Sequence, residues 1–153
     1  MDFSNAISES TSDVFSTMVM LDAIPGSPLA EKVLSFSDSI TGMLGFSGDI
    51  RGILRIHCPN PVAMAITGNL LGMEVTEMDE DVRDAIGEIA NMVAGGLKTL
   101  LARENYAVEL SIPSAIGGKT YTIHRLARAA NVTVPFALEA GQMLVELEYL
   151  GTT

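Results

Sequence analysis

The chain has 153 residues, of which 48% are hydrophobic and 18% charged, a balance that excludes disorder and is enough for one domain, 1–153, with a full core. Nineteen acidic and nine basic residues leave a formal net charge of −10. A chain this acidic is repelled by phosphate backbones, and its few cations form no run, so nucleic acid is excluded as a partner.

Cys58 is the single cysteine, which rules out an intrachain disulfide. The opening Met1-Asp2-Phe3-Ser4-Asn5 is acidic and polar where a secretory leader would be basic and then apolar. No apolar run approaches the ~20 residues of a membrane span. A cytoplasmic protein without membrane contact is therefore expected. There is no tryptophan, so aliphatic residues must fill the interior, and the nine methionines read as adaptable core filler.

Helical spacing of Ile7, Val14, Phe15, Met18 and Leu21 predicts a first helix from Asn5 to about Leu21. Pro25-Gly26-Ser27-Pro28 predicts a turn. Ser39 to Gly45 and Ile50 to His57 read as strands flanking a hairpin loop, Phe46-Ser47-Gly48-Asp49. In the second strand Ile50, Gly52, Leu54 and Ile56 share one face, with Arg51, Ile53 and Arg55 on the other. Pro59-Asn60-Pro61 ends it, with Asn60 as cap and Pro61 as first residue of a helix that stops at Gly72. A longer helix starts near Asp79 or Asp81, its acidic first turn matching the positive end of the helix dipole, and runs to about Asn105.

Four further strands are predicted at Ala107 to Ile112, Thr120 to Leu126, Val132 to Leu138 and Met143 to Leu150. Pro113 to Gly118 and Glu139-Ala140-Gly141-Gln142 act as separators, and a terminal hairpin ends the sheet. The element order predicts an α/β (α+β) fold, a largely antiparallel sheet covered by helices.

The informative segment is Asp84-Ala85-Ile86-Gly87-Glu88-Ile89-Ala90-Asn91-Met92-Val93-Ala94-Gly95-Gly96. Glu88 and Asn91, three residues apart on a helix, share a face about 4.5 Å apart along the axis. The stripe through Ile86, Ile89, Val93 and Leu97 points elsewhere, so the pair should face solvent. Gly87 and Gly95 flank it, each costing about 1 kcal/mol relative to alanine, and close approach of another backbone or a partner would offset that cost. By spacing alone such a pair is as consistent with two ordinary solvated residues, and Gly95-Gly96 could equally mark tight internal packing.

Other polar groups offer less. His57 and Cys58 are adjacent on a strand, hence on opposite faces, and cannot form a nucleophile–base pair. His124 has no companion at metal-ligand spacing. Glu77-Met78-Asp79-Glu80-Asp81 reads as a solvated helix start. Gly117-Gly118-Lys119-Thr120 lacks the spacing and following helix of a phosphate loop.

The motif segment resembles the signature helix of the CheC/CheX/FliY family of bacterial chemotaxis phosphatases, an acidic residue followed by Glu-x-x-Asn and small residues. Asp84, Gly87, Glu88, Asn91, Met92 and Gly95 match it. The first helix, the hairpin around Gly45-Phe46-Ser47-Gly48-Asp49, the short helix and the motif helix also follow in family order. The first helix offers Glu9-Ser10-Thr11-Ser12, with serine where a second motif would need asparagine. The pattern therefore resembles the single-motif CheX type, which implies a CheC/CheX-like fold and a homodimer.

The resemblance implies a phosphatase for a phosphorylated CheY-like response regulator. Asn91 would orient the attacking water and Glu88 would pair with the receiver's lysine, while Asp84, Gly87, Met92 and Gly95 would contact the partner. It implies no cofactor or metal of the chain's own, with Mg²⁺ held in the partner receiver. The alternatives are a non-catalytic receiver-binding module and a structural subunit of the flagellar switch. The apolar terminal strands, with only Glu139, Glu146 and Glu148 as partial guards, are the expected dimer edge.

Overall fold

The computed structural model describes residues 1–150. Helix α1 spans Phe3–Val14, with the Asp2 carboxylate accepting from the Asn5 N–H at its start. It runs on into one π-helical turn, Phe15–Val19, and stops at Met20 in the left-handed region, φ +62°. Strand β1 is only Ile24–Pro25. The Pro25–Pro28 stretch, predicted as a turn, instead runs extended along a later strand. Gly26 and Leu29 donate to the carbonyls of Pro135 and Thr133 there.

Strands β2 (Ser35–Gly48) and β3 (Arg51–Pro59) form the predicted hairpin, with β2 longer and the loop reduced to Asp49-Ile50. Helix α2 spans Asn60–Leu71 and ends at Gly72, φ +66°. Pro59, rather than Asn60, stands at its cap, and no side chain caps it. Helix α3 spans Glu80–Arg103, opened by Asp79, whose carboxylate accepts from the Val82 N–H.

The chain closes with β4 (Val108–Leu110), β5 (Ser114–Thr122), β6 (Ala130–Leu138) and β7 (Gly141–Leu150). All seven strands join one antiparallel sheet, in the order β1-β6-β7-β3-β2-β4, with β5 also beside β2. Two expectations fail here. The Pro113–Gly118 separator is mostly strand, because edge strands tolerate proline and glycine that central ones reject. The terminal hairpin does not end the sheet. β7 lies between β6 and β3, and β1 with Gly26 and Leu29 covers part of β6's outer edge. Its apolar residues are thus interior, and they no longer argue for a dimer edge.

One face of the sheet carries Ile40, Leu44, Leu54, Ile56, Cys58, Val134, Phe136, Met143, Val145 and Leu147. It packs against Ile7, Phe15, Ile66, Ile86, Ile89, Val93 and Leu97 of the helices in a single core. Cys58 is fully buried in it, its thiol pushed up to about 12 by desolvation. The methionines do not fill this core as predicted. Met143 alone is fully buried, whereas Met1, Met18, Met20, Met73 and Met78 are exposed.

The opposite face is polar and still buried. His57 sits between Thr41, whose hydroxyl lies 2.8 Å from Nδ1, and Glu146, whose carboxylate lies 2.8 Å from Nε2. Thr41 also meets the Tyr121 hydroxyl at 2.8 Å. Arg55 donates to Glu148 at 2.8 Å, Asn131 to Glu146 at 2.6 Å, and Arg125 also pairs with Glu146. Phe36 stacks on the His57 ring with centroids 4.1 Å apart. Glu146 and Glu148, expected as guards of an open edge, are almost completely buried. Such a network is tolerated because each charge has several partners, and stripping one away would leave the others unpaired at high cost.

Desolvation pushes the His57 pKa down, outweighing the pull of Glu146. The imidazole is thus neutral, with the Nε2–H donating to Glu146 and Nδ1 accepting from Thr41. Burial alone would raise the Glu146 carboxyl, but hydrogen bonds from His57, Asn131 and Arg125 hold it down to about 2. Both folded pKa values lie below the unfolded ones. The His57 contribution is therefore complete above its ordinary 6.5 and lost as pH falls through the folded value. The Glu146 contribution is complete above 4.5 and lost as pH falls toward 2. Thermal and urea denaturation of wild type and His57→Gln should show a stability difference that shrinks between pH 7 and pH 5, by at most about 1.4 kcal/mol per pH unit. A difference that stays constant over that range contradicts a neutral buried His57.

Candidate functional site

Helix α3 holds the motif, and two glycines elsewhere decide where it lies. A Cβ on Gly42 of β2 would stand 2.6 Å from the Ile86 carbonyl oxygen, so only glycine lets the helix backbone settle on the sheet there. A Cβ on Gly96 would overlap the Ser10 hydroxyl of α1, and that hydroxyl donates to the Val93 carbonyl at 2.7 Å. Ser10 therefore marks a helix–helix contact, while Glu9 is exposed and Ser12 half-buried, so it is the serine in place of asparagine that separates this segment from the motif. Ser10 and Thr11 are buried.

With Ile86, Ile89, Val93 and Leu97 in the core, the opposite stripe of α3 faces outward. Asp84 and Glu88 are exposed on it, Asn91 and Gly95 are half-buried, and Lys98 is exposed further along. Met92 is half-buried and packs on the core, so only part of its surface is open to a partner. The structure thus brings Asp84, Glu88, Asn91 and Gly95 onto one accessible surface. The stripe is acidic toward the helix N-terminus and basic at Lys98.

The glycines of the motif divide by role. Gly96 is internal packing, whereas a Cβ on Gly87 or Gly95 would meet nothing within 4 Å. Neither is required by a neighbour inside the chain. Gly87 forms the floor of a groove of about 300 Å³ between α3 and the start of β5, lined by Arg83, Asp84, Glu88, Pro113, Ser114 and Ala115. Arg83 reaches across it, donating at 3.5 Å to the Ala115 carbonyl. The wall formed by Pro113, Ser114 and Ala115 was not legible in the sequence. The available signal was Pro113, since proline within a β-rich run marks an edge strand or a bulge.

The arrangement presents a carboxylate and a carboxamide on a rigid helix. The carboxamide both donates and accepts hydrogen bonds, and the carboxylate accepts from a cation. No cluster of His, Cys, Asp and Glu among the described residues could hold a metal. His124 is exposed and has no companion of that kind. No helix among the described residues is long and apolar enough to cross a membrane.

Helix glycines at which a Cβ would meet nothing should behave differently from Gly96. In urea denaturation, Gly87→Ala and Gly95→Ala should each raise stability by up to about 1 kcal/mol through helix propensity. Gly96→Ala should lower it, because Ser10 must move. Destabilisation by all three would mean that Gly87 and Gly95 are internal packing glycines as well.

The family model described as "Chemotaxis phosphatase CheX" matches residues 40–137, a span that holds most of β2, all of β3, α2 and α3, and the groove beside α3. The chain is 26% identical over 120 residues to the CheY-P phosphatase CheX of Thermotoga maritima, covering 78% of this chain and 77% of that one. Among solved structures, a CheC-like superfamily protein from Shewanella sp. PV-4 matches with a TM-score of 0.89 at 30% identity, over 99% of both chains. A chemotaxis protein CheX from Desulfovibrio desulfuricans matches with the same TM-score at 25% identity, over 98% of this chain and 100% of that one.

Proposed function

Because this chain belongs to the CheX family of chemotaxis phosphatases, we propose that it accelerates hydrolysis of the aspartyl phosphate on a CheY-like response regulator. The observation that carries this is the Glu88/Asn91 pair, outward on α3 and flanked by glycines that no part of the chain fills. The receiver's phosphoryl group is already neutralised by the lysine and Mg²⁺ of its own pocket, so what it lacks is an oriented water. Asn91 supplies that orientation. Its carboxamide holds the water in line with the phosphorus, water oxygen bonds to phosphorus, the bond to the aspartyl oxygen breaks, and phosphate leaves. Glu88 pairs with the receiver lysine and sets the docking geometry, with Asp84, Gly87, Met92 and Gly95 around it. No cofactor or metal of the chain's own enters, and on this reading it works in the cytoplasm beside its receiver.

The test is a dephosphorylation time course of a phosphorylated receiver. Asn91→Ala should lower the acceleration on the order of 10²-fold or more, with folding unaffected at this surface site. Glu88→Gln should act mainly through KM, its defect partly relieved at high receiver concentration. Near-normal turnover by Asn91→Ala would sink the mechanism, and no acceleration by the wild-type chain would leave a non-catalytic receiver-binding or flagellar-switch role.

A homodimer with outward-facing motif helices is part of the same proposal. Its structural support moves from the buried terminal hairpin to the part of β5 beyond the groove, Ile116 to Thr122, which is largely exposed and pairs only with β2 among the described residues. Sedimentation equilibrium at micromolar concentration should give a dimer, and titration with a phosphoryl-mimic receiver should give two receivers per dimer. A monomer binding one receiver removes the dimer and leaves the catalytic assignment intact.

A further inference from the structure

β4 and β5 are two halves of one edge strand, broken by a single extra residue. Leu110 stands opposite Phe46, and Ser111 continues that register by donating its N–H to the Gly45 carbonyl at 2.8 Å. Ser114, however, stands opposite Met43. Ile112 and Pro113 together therefore face Leu44 alone, which is a β-bulge. Pro113 has no N–H to contribute to a ladder, so this is a position where proline does no harm. The bulge is held at both ends. The Ser111 hydroxyl accepts from the Gly45 N–H at 2.8 Å on one side, and β5 resumes its pairing on the other.

Ile112 is the most exposed large hydrophobic side chain among the described residues, at 89%. Nothing inside the chain gains from leaving an isoleucine in water on a fixed bulge. Its successors Pro113 and Ser114 form the wall of the groove whose floor is Gly87 and whose rim carries Glu88. An apolar anchor beside charged groups on a rigid frame has the anatomy of an interface centre.

We propose that Ile112 is a docking anchor and specificity determinant for the phosphorylated receiver domain, taking up an apolar patch at the rim of the receiver's phosphorylation pocket while Asn91 reaches the phosphoryl group. This rests on the phosphatase reading. The receiver is the occupant, rather than a second copy of this chain, because whatever covers Ile112 also abuts the groove that bears Glu88. A permanent subunit contact there would obstruct the exposed pair.

Steady-state kinetics of the full chain on a phosphorylated receiver test this with Ile112→Ser, Ile112→Val and Asn91→Ala in parallel. Ile112→Ser should raise KM about tenfold with kcat within about twofold, and Ile112→Val should stay near wild type. An unchanged KM in Ile112→Ser, while Asn91→Ala abolishes turnover, overturns the docking assignment and leaves the phosphatase reading standing. No acceleration by the wild-type chain overturns both. Sedimentation closes the remaining route. If Ile112→Ser dissociates copies that wild type holds together, Ile112 belongs to a contact between copies and the assignment is wrong.

Discussion

Helix α3 lies on the sheet at backbone distance because Gly42 offers no side chain where the Ile86 carbonyl comes down. Everything that gives the site its shape depends on that contact. With the helix seated so closely, Ile86, Ile89 and Val93 are completely buried, and the 3.6-residue repeat then turns Glu88 and Asn91 outward. The Ser10–Gly96 contact fixes the same helix against α1, so rotation that would swing the pair inward meets both the sheet and a neighbouring helix. The mechanism proposed for Asn91 would need its carboxamide held within a fraction of an ångström, and a two-sided seat of this kind makes the helix beneath it rigid.

The sheet beneath carries a second constraint. Its helix-facing side is apolar, but its other side buries Arg55, His57, Glu146 and Glu148 in a connected network. Such a network is not the cheapest way to stabilise a sheet, since well-packed apolar side chains often do as well or better. What it adds is register. Arg55 stands directly opposite Glu146, and Thr41 directly opposite His57, so a one-residue slip of β2 or β7 against β3 would strand buried charge. β2 is the strand that bears Gly42, so the pairing that satisfies His57 also sets where α3 can land.

The motif helix, its start near Asp79, the β2–β3 hairpin and the helix stop at Gly72 were legible in the sequence because each depends on local chemistry: helical periodicity, an acidic first turn, a glycine that ends a helix. What escaped depends on partners far along the chain. Nothing local distinguishes Gly42 as a contact for α3, or tells Gly96 from Gly95. Pro113 to Gly118 read as a break because proline and glycine punctuate a chain, whereas at a sheet edge they are compatible with pairing. Glu146 and Glu148 looked like surface guards because a carboxylate in a strand is usually solvated. Only the three-dimensional neighbourhood of Arg55, Arg125 and Asn131 accounts for their burial.

The same physics separates stability from function along α3. Gly42 and Gly96 are glycines the fold itself requires, since a side chain there would collide within the chain. Gly87 and Gly95 leave room for a side chain that nothing fills, and weaken the helix without return inside the molecule. Ile112 has the same signature in a different residue type, an apolar side chain left in water on a bulge that both flanking pairings hold in place. Local choices that run against folding are expected where a surface has another obligation. Here the unfilled Gly87 and the unburied Ile112 lie at the floor and beside the wall of one groove, with Glu88 on its rim. That they gather around the carboxylate of the motif, rather than scattering over the helix layer, is the arrangement that the proposed docking of one receiver surface requires.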